Sequence, residues 1–336
     1  MAKVSYFPSN YQAIYDFQST RAYIDKYVKL LNLAIKKLYQ AIYIDPPAIT
    51  SVSHSWDARL TNHRFVAFDN KYTPIVSQFY EDASNYMRIN LNRFKTNQDV
   101  AIFTYLPIVI RDIVPGNNQS MVQQCYFIES KVIKVASDLQ TQKSSMITMI
   151  NMLNVINQSE EFHAYKSQKY LNTKINFITL KQLIKLYPTL STKKALEHYV
   201  VHNGITVVHQ VYTNYDLQSY PSASPSSDDY ANTNVLYVFN KFINSVVPII
   251  KISLRPNKEI IKNQLEKYLP ATIIDGVYNE TLLSNEYVND SSLGIQIYFS
   301  NLMMLNLRKY HLAEIVHAPW SQDFVNYCSI HKIAIF

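Results

Sequence analysis

The stretch EHYVVHNGITVVH, residues 197–209, changes backbone type partway along. Its first half continues a run from Thr192, and Asn203-Gly204 supplies the left-handed stop that commonly ends a helix. Its second half opens ITVVHQVYT, whose β-branched residues read as a strand. The spacing therefore predicts a helix over 192–202 and a strand from Ile205. The fold class depends on which of these two patterns recurs along the chain.

Working outward, the helical pattern recurs more often. From Ser19 to the Asp45-Pro46-Pro47 breaker, Ile24, Val28, Leu31, Ile35, Leu38 and Ile42 form one apolar seam at 4-3-4-3-4 spacing. A second amphipathic stretch runs from about Pro74 to Lys95, and SMITMINMLNVI over 145–156 reads as a buried helix. Phe177–Tyr187, Asn257–Tyr268 and the long run Ser291–Val316 complete the helical set, while CSIHKIAIF resembles a short strand or packing tail. With no repeat and no composition boundary, the expectation is a mainly α protein. Residues 1–336 would form a single helical shell domain with minor β elements. Residues 214–234, NYDLQSYPSASPSSDDYANTN, are rich in Ser, Pro and Asp, and read as a loop-rich or protruding insertion: a long exposed loop, or the tip of something that projects.

Composition narrows the function classes. The 336 residues include 48% hydrophobic and 17% charged residues, enough apolar surface to bury a core. No apolar run reaches the ~18 residues that span a bilayer, so no membrane partner is expected. The N-terminus lacks the layout of a signal peptide, and two cysteines build no disulfide framework, which fits a reducing compartment. Four glycines leave no G-x-G-x-x-G, Walker loop or nucleophile elbow. A net charge of +7 points to a polyanion nearby. That charge is diffuse, with no basic block, so contact with nucleic acid would be weak and non-specific.

Candidate chemistry is sparse. His198 and His202 share a helix face at the spacing two imidazoles need to bind one metal, with His209 as a possible third ligand. Glu197 precedes His198 rather than following it, which turns the carboxylate roughly 100° around the helix to the other side of His198 from a zincin-like general base. The alternative is that both histidines lie near a helix C-terminus, where the dipole favours imidazolium. The adjacent pairs Glu81-Asp82, Glu160-Glu161 and Asp228-Asp229 diverge on a helix and read as solvated. The expectation is therefore no enzyme, with no catalytic residue, no cofactor and no resident metal. In YMRINLNRFK, Arg88, Arg93 and Lys95 interleave with aromatics and are the candidate RNA-facing residues. Tyrosine offers contact area at little entropic cost. Tyr23, Tyr27, Leu31, Tyr39 and Tyr43 are accordingly the candidate subunit interface.

In size, helical pattern, aromatic-rich segments, missing enzymatic motifs and the polar insertion at 214–234, the chain resembles the coat proteins of partitiviruses and their cryptic-virus relatives. The resemblance implies a capsid protein that assembles through homodimers into an icosahedral shell around a double-stranded RNA genome. A viral polymerase would sit inside, and the protein would occur in the virion and the host cytoplasm. Residues 205–234 would form part of a protrusion. A nucleoprotein of a negative-strand RNA virus is the first alternative, although eight Arg and no basic cluster fit it less well. A metal-dependent enzyme built on His198 and His202 is the second.

Overall fold

Apolar runs too continuous to show an alternating pattern, such as NVLYVF and PIIKISL, turn out to be strands buried on both faces. The computed structural model describes residues 6–47, 50–51, 67–69, 76–79, 82–93, 100–109, 122–131, 139–165, 174–212, 226–266 and 292–336. In chain order its helices are α1 (Phe17–Tyr39), α2 (Ser84–Arg93), α3 (Leu139–Asn157), α4 (Leu180–Leu186), α5 (Thr192–Asn203), α6 (Lys258–Glu266), α7 (Phe299–Leu307) and α8 (Gln322–Ile330). The strands are β1 (Ile42–Tyr43), β2 (Thr50–Ser51), β3 (Ala67–Asp69), β4 (Val76–Gln78), β5 (Ala101–Val109), β6 (Val122–Ser130), β7 (Asn176–Thr179), β8 (Thr206–His209), β9 (Thr233–Asn240), β10 (Ser245–Leu254) and β11 (Leu293–Ile297).

Eight strands form one mixed sheet in the order β1-β5-β6-β11-β10-β9-β8-β7, and β2-β4-β3 form a small second sheet. The inner strands of the large sheet pair antiparallel, while β1 lies parallel to β5 and β7 parallel to β8 at the two edges. The expectation of a mainly α shell domain is thus overturned: a central mixed sheet organises the chain, with helices packed on it. Several helical readings split. Phe177–Tyr187 divides into β7 and α4, where Thr179 ends the strand and caps the helix in a reciprocal box with Gln182. Ser291–Val316 divides into β11 and α7, and α7 stops where Arg308 turns left-handed. The quoted stretch holds: α5 ends at Gly204, whose φ is +82°, and β8 follows.

The two faces of the sheet differ. On one, Phe103, Tyr126, Ile128, Ile250, Ile252, Ile295, Ile297 and Leu236 meet the apolar seams of α1, α3 and α7 in the main core. The opposite face is apolar only at its flanks. Ile102, Leu106, Cys125 and Phe127 pack under Ala83, Met87 and Leu91 at the α2 end, and Val208, Val235 and Tyr237 pack under α4 and α5 at the other. Between these flanks the central strands carry polar and charged side chains.

Candidate active site

Register places these polar residues side by side. Gly294 of β11 pairs with Ser253 of β10 and with Glu129 of β6, and Gln296 pairs with Lys251. Side chains alternate along a strand, so Lys251, Ser253 and Arg255 share the face that carries Glu129 and Gln296. Glu129, Lys251, Ser253, Arg255 and Gln296 are all buried, as are Ser227 and Asp228 from the segment before β9.

The charges are paired with one another. The Arg255 guanidinium grips both oxygens of Glu129 (Nε to Oε1 and to Oε2 2.9 Å, Nη2 to Oε2 2.6 Å). Its Nη1 donates to the Ser227 carbonyl at 2.7 Å and reaches Asp228 Oδ1 at 3.4 Å. Ser292 Oγ donates to Glu129 Oε1 at 2.6 Å. Lys251 Nζ donates to Asp228 Oδ2 at 2.8 Å and lies 3.7 Å from Asp82 Oδ2. Burial alone would lower the pKa of the Lys251 ammonium, but Asp228 and Asp82 outweigh it, so the pKa is raised and the charge retained. Arg255 behaves likewise: burial lowers its pKa, and Glu129, then Asp228 and Asp82, raise it further. Below this strip, burial pushes the Cys125 thiol up to about 12, which makes it a packing residue rather than a nucleophile.

Three elements frame the strip. Asn85 of α2 donates to Ser226 Oγ at 2.8 Å, and Arg88, one turn further along, is buried. Gln264 of α6 donates to the Asp228 carbonyl at 3.0 Å and accepts from the Tyr230 N–H at 2.8 Å. Gly294 leaves the space in which the Arg255 guanidinium lies, since a Cβ there would fall 1.9 Å from Nη2. Buried charge clustered on the central strands of an otherwise apolar sheet face is the arrangement expected of a site for a charged substrate.

The residues singled out from sequence lie elsewhere. Tyr23, Tyr27 and Leu31 are fully buried under the sheet in the main core. Tyr39 is half-buried and directs its hydroxyl at Met149 Sδ (3.0 Å), and Tyr43 sits on the edge strand β1 against Phe103. Arg88 faces inward, Arg93 is exposed at the end of α2, and Lys95 lies outside the described residues. His198 and His202 are exposed, with stacked rings 4.2 Å apart, while His209 is buried on β8 and bonded to Asn234 at 2.6 Å. Among the described residues no group of three such ligands could hold a metal. Of the 205–234 segment, Thr206–His209 form an inner strand of the sheet, Ser226–Asp229 join the charged strip, and 213–225 lie outside the described residues. The pair Asp228-Asp229, read from sequence as solvated, is buried. Among the described residues no helix is long and apolar enough to cross a membrane. The signal that sequence reasoning passed over is the insertion of Lys251 and Arg255 into an apolar strand at same-face positions.

This sheet, with its flanking helices, has the class II aminoacyl-tRNA synthetase-like fold. The asparaginyl-tRNA synthetase of Pyrococcus horikoshii, solved in complex with asparaginyl-adenylate, superposes with a TM-score of 0.60 at 11% identity, covering 89% of this chain and 68% of that one. The Entamoeba histolytica asparaginyl-tRNA synthetase superposes with a TM-score of 0.61, also at 11% identity, covering 89% and 67%. The family model AsnA, aspartate-ammonia ligase, matches residues 17–332, and the chain belongs to that family. An aspartate–ammonia ligase of Mycoplasmoides gallisepticum is 20% identical over 308 residues, 89% of this chain and 93% of that protein. One of Clostridium perfringens is 21% identical over 341 residues, 98% of each.

These findings overturn the likeness to partitivirus coat proteins, which rested on general character and no shared motif. They equally overturn the nucleoprotein alternative, the icosahedral shell, the viral RNA and polymerase partners and the placement in a virion. The expectation of no enzyme falls too, because the family is one of ligases. It failed for a physical reason. A scarcity of glycine excludes sites built on glycine-rich phosphate loops, but not a site built from side chains fixed on the strands of a sheet.

Proposed function

We propose that the chain joins aspartate to ammonia, forming the side-chain amide of asparagine, and that the charged strip is where the acidic substrate is held. The match to the aspartate-ammonia ligase family over residues 17–332 carries this reading. The strip adds a chemical reason: Lys251 and Arg255 offer cations to carboxylates, while Glu129 and Asp82 offer anions to an ammonium group.

A carboxylate does not condense with ammonia in water, because it would have to expel oxide. Activation by a nucleoside triphosphate removes that barrier. The side-chain carboxylate oxygen bonds to the α-phosphorus and pyrophosphate leaves. The nitrogen lone pair of ammonia then attacks the mixed anhydride, the nucleoside monophosphate leaves, and the surplus protons pass to solvent. That an adenylate of an amino acid is held by a protein of the same fold supports this choice of activation. In this scheme Lys251 and Arg255 offset the charge of the carboxylate as a polyanionic nucleotide approaches, and the strand positions keep them oriented before substrate arrives.

The test is direct. Purified chain is incubated with aspartate, ¹⁵N-ammonium and ATP with magnesium, and asparagine is followed by NMR alongside pyrophosphate release. Amide formation dependent on both ammonium and ATP is the expected result. Lys251→Met should lower it by a factor on the order of 100 or more, the kinetic equivalent of losing one partner of a buried charge pair. Absence of ¹⁵N-asparagine from folded wild-type chain would overturn the reading.

A further inference from the structure

The two buried carboxylates of the strip are held differently. Glu129 belongs to β6, which is hydrogen-bonded to β5 on one side and β11 on the other, so its backbone is fixed by two ladders. Asp228 lies on the segment before β9, outside every ladder, and is held by exchangeable polar contacts. Among these are the Asp229 N–H to the Leu254 carbonyl at 3.0 Å and Gln264 Nε2 to the Asp228 carbonyl at 3.0 Å.

The two cations are anchored independently of Asp228. Lys251 lies on the central strand β10, and Arg255 follows directly at its end. Arg255 is clamped by Glu129 and by the Ser227 carbonyl, with Gly294 beneath its guanidinium; its bond to Asp228 is the long one, 3.4 Å against 2.6–2.9 Å. Were the Asp228 carboxylate to withdraw, Lys251 Nζ and Arg255 Nη1 would remain converging on one point, preset for a carboxylate.

We propose that Asp228 is an internal stand-in for substrate: its carboxylate occupies the place between Lys251 and Arg255 where the side-chain carboxylate of aspartate binds, and substrate binding displaces it. This rests on the ligase reading for the identity of the acidic ligand. With Asp228 withdrawn, Arg255 keeps Glu129 and Lys251 keeps Asp82 at 3.7 Å, but the 2.8 Å charge-assisted bond from Lys251 is lost, so the vacated place suits another carboxylate and the exchange is anion for anion. Aspartate can replace Asp228 and a neutral amide cannot. Conversion of the side-chain carboxylate into an amide therefore removes the ligand's claim on the cations, and the return of Asp228 helps expel the product.

The inference is tested by binding, without nucleotide, so that it stands apart from turnover. Titration calorimetry of the full chain with aspartate and with asparagine compares wild type with Asp228→Asn, which keeps the shape and removes the competing charge. Asp228→Asn should bind aspartate at least about 10-fold more tightly than wild type, with asparagine affinity changed less than about twofold. Equal or weaker aspartate binding by a folded Asp228→Asn chain would overturn the proposal and make Asp228 a fixed part of the scaffold. Should that variant fail to fold, hydrogen exchange on wild type decides. Aspartate should speed exchange of the Asp229 amide by releasing it from Leu254, whereas slowing or no change would overturn the displacement. Tighter aspartate binding by the variant with no asparagine formed by wild type would retire the ligase reading alone. Asparagine formed by wild type with weaker binding by the variant would retire the displacement alone.

Discussion

Replacing Gly294 with Ala puts one methyl group into the space that the Arg255 guanidinium occupies. The added Cβ would lie 1.9 Å from Nη2, 2.0 Å from Cζ and 2.5 Å from Nε, well inside contact distance, so the guanidinium has to move. It cannot move and keep both Glu129 oxygens, because those bonds are already 2.6–2.9 Å and Glu129 is fixed on β6. Glu129 would be left with the Ser292 hydroxyl at 2.6 Å, and Arg255 with part of its contacts. Breaking a buried ion pair costs about 3–5 kcal/mol, which for a chain of this size lowers the melting temperature by roughly 4–7 °C. The assay is urea unfolding of wild type, Gly294→Ala, Arg255→Met and the double variant. If the clash acts through Arg255, Gly294→Ala should cost under about 1 kcal/mol once Arg255 is Met, giving a coupling of 2 kcal/mol or more, at the upper end of the range for contacting residues. A cost below about 1 kcal/mol in the wild-type background, or the same cost in both backgrounds, would refute the reasoning.

Two further outcomes are expected. Burial holds His311 down to about 4, and its Nδ1 accepts the Ala313 N–H at 3.0 Å, a bond the protonated ring cannot make. Between pH 6.5 and about 4 the unfolded chain then binds more protons at this site than the folded one. Stability is therefore fully present above pH 6.5 and falls by about 3 kcal/mol on acidification. Glu314, whose pKa burial raises, acts in the opposite sense as it becomes neutral. The measurement is accordingly the difference between wild type and His311→Asn, which keeps a capping oxygen; an identical pH slope in both would sink the assignment. Both cysteines are buried, with thiols pushed up to about 12 for Cys125 and about 11 for Cys328. At pH 8 a disulfide reagent should label neither in the native chain and both after denaturation, and fast labelling of Cys125 in the native state would contradict a sealed sheet face.

Helices were legible where one face meets water. The seam from Ile24 to Ile35 alternates with lysines, and the pattern leads directly to α1. The end of α5 at Asn203-Gly204 was legible because a positive φ leaves its mark in residue choice. Strands β5, β6, β9 and β10 were not, because both of their faces are covered, which removes the polar half of the period-2 signal. In Ser291–Val316 apolar residues run through both β11 and α7, so periodicity alone could not find the boundary at Tyr298. The site was hidden for a different reason. Its charges are dispersed over β6, the segment before β9, and β10, and only sheet order brings them together. Asp228 also sits in a Ser- and Pro-rich stretch whose composition imitates an exposed loop, yet it is fully buried because Lys251 and Arg255 balance it.

The same dispersal explains how a site can be built with so little glycine. A phosphate loop presents backbone N–H groups and needs residues without Cβ so that the backbone can come close. Here the recognition groups are long side chains, and what they need is a rigid origin. Strands β6, β10 and β11 supply it, because each is hydrogen-bonded on both sides. Among the described residues of the strip, glycine is required where a Cβ on β11 would collide with the Arg255 guanidinium, and that position is Gly294. It follows that charge on this sheet face is tolerated only as a set: each of Glu129, Lys251, Asp228 and Arg255 has its counter-charge on a different element. An apolar replacement of Arg255 leaves Glu129 without a counter-charge and Asp228 with Lys251 alone among the ion pairs of the strip, while replacement of Arg255 and Glu129 together removes both charges and spares the fold that cost.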